Sequence, residues 1–298
     1  MRILITGGTG TIGKALLKRF DSSHSIRVFS RDELKQAQLQ TLYPNVDFMI
    51  GDVKDYQRIK QAMAGIDIVI HAAAMKRIEI CEQWPIEAVK TNVLGTENVV
   101  NAAVECGVKK LISLGSDKGV EPINVYGMTK AIQEKITIGA GFNCARYGNV
   151  LGSRGSVVPL FKEQLAKNEP LTVTDPDMTR FILTIDDALD TIEKAMNSEM
   201  TGSIFIKKSF ATRTGDIAKA ISDNIKVVGS FGCEKKHEIL ISKEEMPKVK
   251  DAGDYYVVLK NNLNNKTVPI AIDCDVYASN TVKLLTVDEI KKHLDNIS

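Results

Sequence analysis

Five side chains in the middle of the sequence have the types and the spacing of a proton-transferring group. Tyr126 and Lys130 form a Y-x-x-x-K pair, and this spacing places both side chains on one face of a helix. The tripeptide Ser116-Asp117-Lys118 precedes them and adds a hydroxyl, an acid and a second amine. A serine alone would indicate a plain dehydrogenase, whereas the adjacent acid and base predict a further chemical step.

Two of these groups can act as bases only if the protein changes their pKa values. A phenol and a lysine both titrate near 10, so each needs a pKa lowered by about 3 units to work at neutral pH. Lys130 lies one helical turn from Tyr126, and its positive charge can lower the pKa of the phenol. For Lys118, the charge of Lys130 lowers the pKa, while Asp117 raises it.

A glycine-rich stretch near the start of the chain predicts a dinucleotide site. Residues 6–13 read T-G-G-T-G-T-I-G, directly after a β-branched run and at the start of a helical pattern. In this context Gly7 permits the turn, Gly10 lets the backbone approach a pyrophosphate, and Gly13 allows the helix to pack closely on the strand. Because the helix N-terminus faces the anion, we also expect cofactor contacts from Thr11 and Ile12.

The end of the second predicted strand carries the residues that select the cofactor. An acidic residue at this point usually binds the adenosine ribose, but this sequence has Ser30 and Arg31, followed by Lys35. A guanidinium suits a 2′-phosphate, so NADP is favoured over NAD, with Lys35 as a second positive charge. The nearby Asp32 keeps NAD possible.

Asp52 and Val53 follow the third predicted strand. There the carboxylate of Asp52 would lie near the adenine amino group. A helix N-cap on the following segment is an equally good interpretation of the same residue. We assign both residues to the cofactor site.

Strands and helices alternate along the first half of the chain. Apolar runs at 2–6, 26–30, 46–51, 68–72 and 110–114 are separated by amphipathic segments, and long helices are predicted at 86–106 and 124–138, before a sixth strand at 142–147. This alternation predicts an α/β fold with a doubly wound parallel sheet of the Rossmann type. After the Gly- and Ser-rich stretch 148–156, the predicted strands and helices become shorter and less regular. We therefore expect an NADP-binding domain at 1–150. A smaller substrate-binding region would follow at 151–298, with some of its strands and helices returning to the core.

The composition argues against several other classes of protein. The 298 residues include 39 Lys and Arg against 37 Asp and Glu, and this balance leaves no basic stripe for nucleic acid. The five Cys and four His are too scattered for a zinc site, so we expect no metal. No apolar run approaches the roughly 18 residues of a membrane span, and the first strand begins at residue 2. We therefore expect a soluble, cytoplasmic protein without a signal peptide.

Taken together, the motifs resemble those of a known enzyme family. The patterns T-G-G-x-G-x-x-G at 6–13, A-A-A-x-K at 72–76, T-N-x-x-G-T at 91–96 and Y-x-x-x-K at 126–130 are similar to extended short-chain dehydrogenase/reductases that act on nucleotide sugars. More narrowly, the chain resembles the inverting UDP-N-acetylglucosamine 4,6-dehydratases. The motifs are S-R-D-E-L-K-Q at 30–36, S-D-K at 116–118, P-I-N-x-Y-G-x-T-K at 122–130, R-Y-G-N-V-x-G-S-R-G-S-V-V-P at 146–159 and M-T-R-F at 178–181.

The resemblance implies a complete reaction. Bound NADP would take a hydride from C4 of UDP-N-acetylglucosamine, or a close UDP-sugar, and return it to C6. Tyr126 would remove the O4 proton, Lys130 would hold the nicotinamide ribose, and Ser116 would hydrogen-bond the O4 region. Lys118 would remove the C5 proton, and Asp117 would protonate the departing C6 hydroxyl. The product would be a 4-keto-6-deoxy-L-sugar, inverted at C5.

The resemblance also implies binding residues outside this group. Ala72 and Ala73 would line the cofactor site, and Lys76 would lie beside the sugar. The uracil, the diphosphate and the uridine ribose would be held by residues scattered along the second half: Asn149, Val157, Val158, Arg180 and Glu238. The chain departs from the family at 231–233, where R-P-G is usual and Phe-Gly-Cys stands, and at 76–79, where K-H-V-P is typical and Lys-Arg-Ile-Glu stands. Either change could alter the sugar specificity.

Two other functions remain open. A nucleotide-sugar 4-epimerase would need only Ser116, Tyr126 and Lys130, and would stay active without Lys118. A non-catalytic dinucleotide-sensing protein on the same fold would not need an intact catalytic set, which this sequence retains. The helices at 86–106 and 126–138 are apolar on one face, as in relatives that dimerise through this pair, so we expect a homodimer or a higher homo-oligomer.

Overall fold

The computed structural model describes residues 1–230, 232–260 and 275–295. Phe231, one of the positions that depart from the family pattern, lies outside the described residues. None of the helices in the described ranges is both long and apolar enough to cross a membrane.

The chain alternates strands and helices from its first residues. The strands are β1 Arg2–Thr6, β2 Ser25–Ser30, β3 Asp47–Ile50, β4 Ile68–His71, β5 Lys110–Leu114, β6 Asn143–Ala145, β7 Asn149–Val150, β8 Leu171–Val173, β9 Thr179–Leu183, β10 Ile204–Lys207, β11 Phe210–Arg213, β12 Ile225–Val227, β13 Ile239–Ile241, β14 Val249–Asp251, β15 Tyr255–Val258 and β16 Tyr277–Ala278. The helices are α1 Thr11–Phe20, α2 Glu33–Leu42, α3 Tyr56–Ala62, α4 Ile78–Gln83, α5 Pro85–Ala88, α6 Gly95–Glu105, α7 Val125–Gly139, α8 Val157–Ala166, α9 Ile185–Asn197, α10 Thr214–Lys219 and α11 Val287–Asp295.

A nine-stranded sheet forms the centre of the fold, in the order β14-β15-β10-β6-β5-β4-β1-β2-β3. Neighbouring strands from β3 to β10 run parallel, and β15 and β14 join antiparallel. Helices cover both faces: Leu16 of α1 and Ile192 of α9 belong to the apolar cluster on one face, and Ile59 of α3 and Val99 of α6 to that on the other. The predicted doubly wound α/β fold is confirmed.

The second half of the chain is divided between this sheet and three smaller ones. Strands β10, β14 and β15 extend the central sheet, and α9 packs on it. One smaller sheet has the strand order β11-β9-β7, and the other two pair β12 with β8 and β13 with β16. The β7–β9 pair brings the loop after Tyr147 beside the segment that carries Arg180.

The long helix expected at 86–106 contains a wide turn. Residues Val89–Leu94 form a π-helical turn between α5 and α6. Asn92 in this turn accepts a hydrogen bond from the amide of Met75 at 2.7 Å and donates to the Met75 carbonyl at 2.9 Å. It also donates to the hydroxyl of Thr129 in α7 at 2.9 Å. The apolar spacing predicted the helix but not the turn, which ties the loop after β4 to α7.

The strand order reverses between β1 and β4, which lie side by side although they are far apart in the chain. In a doubly wound sheet, the loops leaving two such strands diverge and open a crevice at their carboxyl ends. Gly7 follows β1, Ala72 follows β4 and Gly115 follows β5. The fold therefore places the glycine-rich loop and the predicted catalytic tripeptide along the same edge of the sheet.

Candidate active site

The glycine-rich loop has the shape of a dinucleotide cradle. Gly7 has a φ of +70°, and a Cβ atom there would lie 2.8 Å from the Cα of Ala73. A Cβ on Gly13 would lie 2.4 Å from the Cα of Gly8. These approaches exclude any side chain at either position. The loop is also fastened to the end of β4, because the amide of Ala73 donates to the hydroxyl of Thr6 at 3.3 Å.

The start of α1 is suited to an anion. Its N-cap, Gly10, offers no side-chain hydrogen bond, and no acidic residue lies in the first turn. The first amides of a helix have no partner within the helix, so those of Thr11, Ile12 and Gly13 remain available to a pyrophosphate. The cradle therefore fits a bound dinucleotide at the residues that the sequence indicated.

At the end of β2, the side chain of Arg31 is exposed, whereas those of Asp32 and Lys35 are paired with each other. The side chain of Arg31 is 61% exposed, and its Nη1 lies 3.6 Å from Asp52 Oδ2. Asp32 is the N-cap of α2: it accepts a hydrogen bond from the amide of Lys35 at 3.0 Å and pairs with the Lys35 ammonium. These bonds lower the pKa of Asp32. Lys35 is therefore not the free second charge that the sequence suggested, and Asp32 is not free to bind a ribose.

Ser30 and the 52–53 pair lie beside this group. The hydroxyl of Ser30 accepts a hydrogen bond from Gln36 Nε2 at 2.9 Å. Asp55, and not Asp52, is the N-cap of α3, so the alternative interpretation of Asp52 as a cap was wrong. Val53 is buried in the apolar cluster beneath the loop, and it can reach a cofactor only through its backbone.

The catalytic tripeptide forms a compact turn at the end of β5. Ser116 is the N-cap of a 3-10 turn at Asp117–Gly119, and its Oγ accepts the amide of Lys118 at 3.3 Å. The same hydroxyl donates to Asp117 Oδ1 at 3.0 Å. Asp117 is fully buried, and its Oδ2 has no hydrogen-bond partner among the described residues. Burial raises the pKa of Asp117, with Lys118 opposing, so this carboxyl is suited to hold a proton and donate it.

Lys118 points into a cluster of acceptors. Its Nζ lies 3.0 Å from Asn149 Oδ1, 3.2 Å from Asp117 Oδ1 and 3.4 Å from Glu238 Oε1. Burial lowers the pKa of this amine, but the carboxylates of Asp117 and Glu238 outweigh burial and leave the pKa raised. The ligand-free site therefore holds an ammonium, which is opposite to the direction that a base requires.

Tyr126 stands at the start of α7, whose N-cap Asn124 accepts the amide of Gly127 at 2.7 Å. Burial raises the pKa of the phenol to about 12, partly offset by the charge of Lys118 and a hydrogen bond with Ser116. The expected lowering is thus absent from the ligand-free site. The cation that acts on Tyr126 is Lys118 rather than Lys130.

Lys130 is turned toward the sheet. Its Nζ donates to the carbonyl of Leu114 at 2.5 Å and to Gln133 Oε1 at 2.6 Å. Burial lowers its pKa to about 8. An ammonium has three donors, so one remains for another ligand. These contacts explain why Lys130 has little effect on the phenol one turn away.

The predicted substrate residues differ in what their side chains are free to do. Val158 is 1% exposed and packs with Phe161 in an apolar cluster, and Val157 packs against the same cluster. Their side chains therefore stabilise the fold, and the expected uracil contact stays a prediction that would involve the backbone of these two residues. Asn149, in contrast, enters the site through its bond to Lys118. Lys76 Nζ donates to the carbonyl of Arg154 at 2.9 Å and ties the loop after β4 to the loop after β7.

Arg180 is used differently from the expected phosphate clamp. It is buried, and its Nη1 donates to the carbonyls of Thr179 and Lys235 at 2.9 Å and of Lys236 at 3.3 Å. Its Nη2 lies 3.8 Å from Glu234 Oε1. In the ligand-free protein this guanidinium holds the backbone of the segment that leads to Glu238.

Gly127 is important to the site but was not among the residues predicted from the sequence. A Cβ atom at this position would lie 2.2 Å from the carbonyl oxygen of Lys118, so only glycine lets α7 pack on the catalytic turn. The position was visible as the glycine of the P-I-N-x-Y-G-x-T-K motif, but a glycine inside a helix does not by itself show what it contacts.

Comparison with known proteins places the chain among sugar-modifying enzymes. The model of the family described as "Polysaccharide biosynthesis protein" matches residues 3–260. A UDP-glucose 4-epimerase from Rickettsia akari is 41% identical over 325 residues, covering 98% of this chain and 94% of that protein. A UDP-glucose 4-epimerase from Rickettsia bellii is 40% identical, covering 99% and 95%.

Solved structures agree with this placement. Pen from Bacillus thuringiensis has a TM-score of 0.92 at 34% identity, covering 99% of this chain and 97% of that one. DesIV, a dTDP-glucose 4,6-dehydratase from Streptomyces venezuelae solved with NAD, has a TM-score of 0.73 at 19% identity, covering 79% and 86%. At that identity the likeness to DesIV shows a shared fold.

Proposed function

The chain belongs to the polysaccharide biosynthesis protein family of extended short-chain dehydrogenase/reductases, and from this premise we propose that it is an NADP-dependent UDP-N-acetylglucosamine 4,6-dehydratase that inverts C5. It is a nucleotide-sugar-modifying enzyme. The finer assignment depends on one observation: a buried acid and a lysine, Asp117 and Lys118, lie beside Ser116 and Tyr126 in one site.

The first step is oxidation at C4. NADP, held by the amides at the start of α1 and by Arg31, would supply the acceptor for the C4 hydride and the hydride that C6 receives. Tyr126 takes the proton from O4, and Ser116, which is bonded to both Asp117 and Tyr126, orients the oxygen. The ammonium of Lys118 stabilises the phenolate form of Tyr126 that acts as this base, since opposite charges favour each other in a buried site.

Elimination then uses the acid and the amine. A C4 ketone acidifies the C5 hydrogen, and Lys118 accepts this proton as the C6–oxygen bond breaks. Asp117, whose pKa burial raises, passes on to the departing hydroxyl the proton that it has received from Lys118, and water leaves. With the hydride that NADP would return to C6, a proton that reaches C5 from solvent on the opposite face would give the inverted 4-keto-6-deoxy sugar.

Lys118 must lose its proton before it can accept another. Two carboxylates hold it as an ammonium, and one of them, Glu238, corresponds to the family residue that contacts the uridine ribose. A ribose that binds Glu238 draws this carboxylate away from Lys118. The pKa of the amine then falls, and after the C4 oxidation its proton passes to Asp117, whose Oδ1 lies 3.2 Å from Lys118 Nζ. This transfer leaves an amine that can accept the C5 proton and an acid that can protonate the departing hydroxyl.

The assignment of NADP depends on the end of β2. The guanidinium of Arg31 is exposed there, whereas Asp32, the carboxylate that could bind a ribose hydroxyl instead, is occupied by its helix and by Lys35. Arg31 is therefore available to the 2′-phosphate of NADP, whereas Asp32 is not free to bind the 2′-hydroxyl of NAD. The substrate-binding region at 151–298 and the NADP-binding domain at 1–150 remain our division of the chain.

A 4-epimerase is the second candidate, because the Rickettsia relatives carry that name. An epimerase needs Tyr126 and Ser116 but gives Lys118 no proton to move. The two reactions are separated by incubation with UDP-N-acetylglucosamine in deuterated water, followed by NMR. The dehydratase gives a C6 methyl group and deuterium at C5. Formation of UDP-N-acetylgalactosamine with neither a C6 methyl group nor deuterium at C5 would establish the epimerase.

A variant sharpens the same experiment. Lys118→Met removes the base for C5 but leaves the proposed residues for C4 in place. A dehydratase loses product formation by several orders of magnitude at every pH, whereas an epimerase retains its turnover once the pH is raised enough to ionise Tyr126 without the charge of Lys118.

A further inference from the structure

The segment from Cys233 to Glu238 contacts both elements that carry the proposed catalytic residues. The carbonyl of Cys233 accepts a hydrogen bond from Asn124 Nδ2 at 2.9 Å, and the other end of this amide caps α7 at Gly127. At the opposite end of the segment, Glu238 Oε1 lies 3.4 Å from Lys118 Nζ. The position of this segment is therefore coupled to the Tyr126 helix and to the catalytic turn.

Lys235 lies in the middle of the segment and turns its side chain inward. Its side chain is 11% exposed. Its Nζ donates to the carbonyl of Val120 and lies 3.5 Å from the carbonyl of Asp117. These two carbonyls stand at the two ends of the 3-10 turn that contains Lys118. One ammonium therefore fixes both ends of the turn.

The same ammonium balances a shared carboxylate. Lys235 Nζ lies 3.7 Å from Glu238 Oε2, an oxygen without a hydrogen-bond partner in the described part of the chain. The carboxylate of Glu238 thus lies between two amines, Lys235 on one side and Lys118 on the other. Arg180 holds the backbone of Lys235 in place through its carbonyl.

The charges around Lys118 are of both signs. The titratable and charged groups that act on Lys118 or on Lys235 are Asp117, Glu238, Arg180, Tyr126 and Glu121. Burial lowers the pKa of Lys235, and the charge of Lys118 pushes it the same way, against Glu238 and Asp117. Because this interaction is mutual, loss of the charge at 235 raises the pKa of Lys118.

We propose that Lys235 is a positioning residue that holds the 116–120 turn and compensates the charge of Glu238, so that Lys118 and Asp117 stand correctly beside Tyr126. The effect on turnover rests on the proposed function, whereas the hold on the turn does not. The two can therefore be tested separately.

The structural arm uses hydrogen exchange on the full-length, ligand-free protein. Lys235→Met should increase amide exchange across 116–120 by about tenfold, the effect of losing a buried charged hydrogen bond, and leave α9 unchanged. Lys235→Arg should restore protection, because it can still donate to both carbonyls. Lys236→Met, the same charge change at an exposed neighbour, is the matched control. Unchanged exchange at 116–120 in folded Lys235→Met overturns the proposal, and Lys235→Gln provides the same measurement if the methionine variant does not fold.

The kinetic arm follows deuterium incorporation at C5 against pH. Lys235→Met should move the rising limb to higher pH by about half a unit to one unit, with dissociation of UDP unchanged within about twofold. Lys235→Arg should return the limb to its original position. Equal losses in UDP binding and in every chemical step, with no movement of the limb, would show a structural role only and overturn the proposal. If the wild-type protein incorporates no deuterium at C5, the proposed function fails, and the exchange measurement still decides the role of Lys235.

Discussion

A Cβ atom on Gly127 would lie 2.2 Å from the carbonyl oxygen of Lys118, so the helix that carries Tyr126 and the turn that carries Lys118 touch through a residue without a side chain. Heavy atoms that are not bonded to each other do not approach this closely. The Lys118 oxygen belongs to the backbone, so it cannot move aside as the end of a flexible side chain would. The distance between the two proposed bases therefore depends on this close approach of the two backbones.

Gly127→Ala should separate the helix from the turn. We expect a loss of about 1–3 kcal/mol in the free energy of unfolding, as for other overpacked sites, together with a fall in turnover of at least tenfold. Gly139→Ala is the control, because Gly139 ends the same helix and a methyl group added there would meet no atom within 4 Å. It should be neutral or slightly stabilising, since alanine favours helices. Equal unfolding curves for the two variants would contradict the contact.

Lys118→Met should alter the first step as well as the second. Lys118 is the cation that lowers the pKa of Tyr126 in the ligand-free site, so its loss raises that pKa. The rising limb of C4 oxidation, measured as cofactor reduction in a single turnover, should move to higher pH by about one unit. Lys118→Arg keeps the charge, so the rising limb should stay at the pH of the wild type. If the limb also stays there in Lys118→Met, a group other than Lys118 lowers the pKa of Tyr126.

Arg31→Ala should weaken NADP binding without affecting NAD. Loss of charge-assisted bonds to a phosphate costs about 1.5–3 kcal/mol, or roughly 10- to 100-fold in dissociation constant. Lys35→Ala should have a smaller effect, because the ammonium of Lys35 is already paired with Asp32. Calorimetric titration of both cofactors into both variants measures the difference. Equal loss in the two variants would show that Lys35 leaves Asp32 when NADP binds.

Acid should weaken a buried ion network behind the site. Arg146 Nη1 lies 2.7 Å from Glu245 Oε2, and Nη2 lies 2.6 Å from Glu134 Oε2. Burial raises the pKa of Glu245, but Arg146 outweighs burial and leaves it lowered. The stabilisation is thus complete above the ordinary pKa of about 4.3 and is lost as pH falls through the lowered value in the folded state.

Glu245→Gln should therefore cost about 2 kcal/mol at pH 7, with the difference from the wild type shrinking below about pH 4. Urea unfolding at several pH values gives this comparison. Glu244→Gln, an exposed neighbour, should leave stability unchanged throughout.

Several large apolar side chains remain exposed on the helices beside α7. Met128 and Ile132 on α7 are 49% and 47% exposed, and Trp84 and Ile86 are 57% and 63% exposed. We propose that they meet a second copy of the chain. Ile132→Glu should shift sedimentation equilibrium toward the monomer by at least tenfold in dissociation constant, whereas Leu165→Glu, which is similarly exposed on α8, should not. A wild-type monomer at micromolar concentration would refute a stable dimer.

The sequence predicted those features that depend on neighbours along the chain. The loop at Gly7 and the start of α7 each follow from local spacing, and each is present, whereas the 3-10 turn after Ser116 was not predicted. The directions of the pKa shifts could not be predicted in this way, because they depend on segments distant in sequence. Lys118 is held as an ammonium partly by Glu238, and Arg180 is occupied by carbonyls at 235 and 236. Nothing in the sequence around Lys118 or Arg180 indicates these contacts.

The return of β10, β14 and β15 to the central sheet limits how such enzymes can exchange parts. A crossover between two relatives near residue 150 would join the first strands of one sheet to the last strands and the α9 helix of another, and every packed side chain across that seam would have to match. Recombination by halves is therefore disfavoured. New sugar preferences are more readily acquired by replacing short stretches, such as the β9 strand together with the 232–238 segment that Arg180 fastens to it.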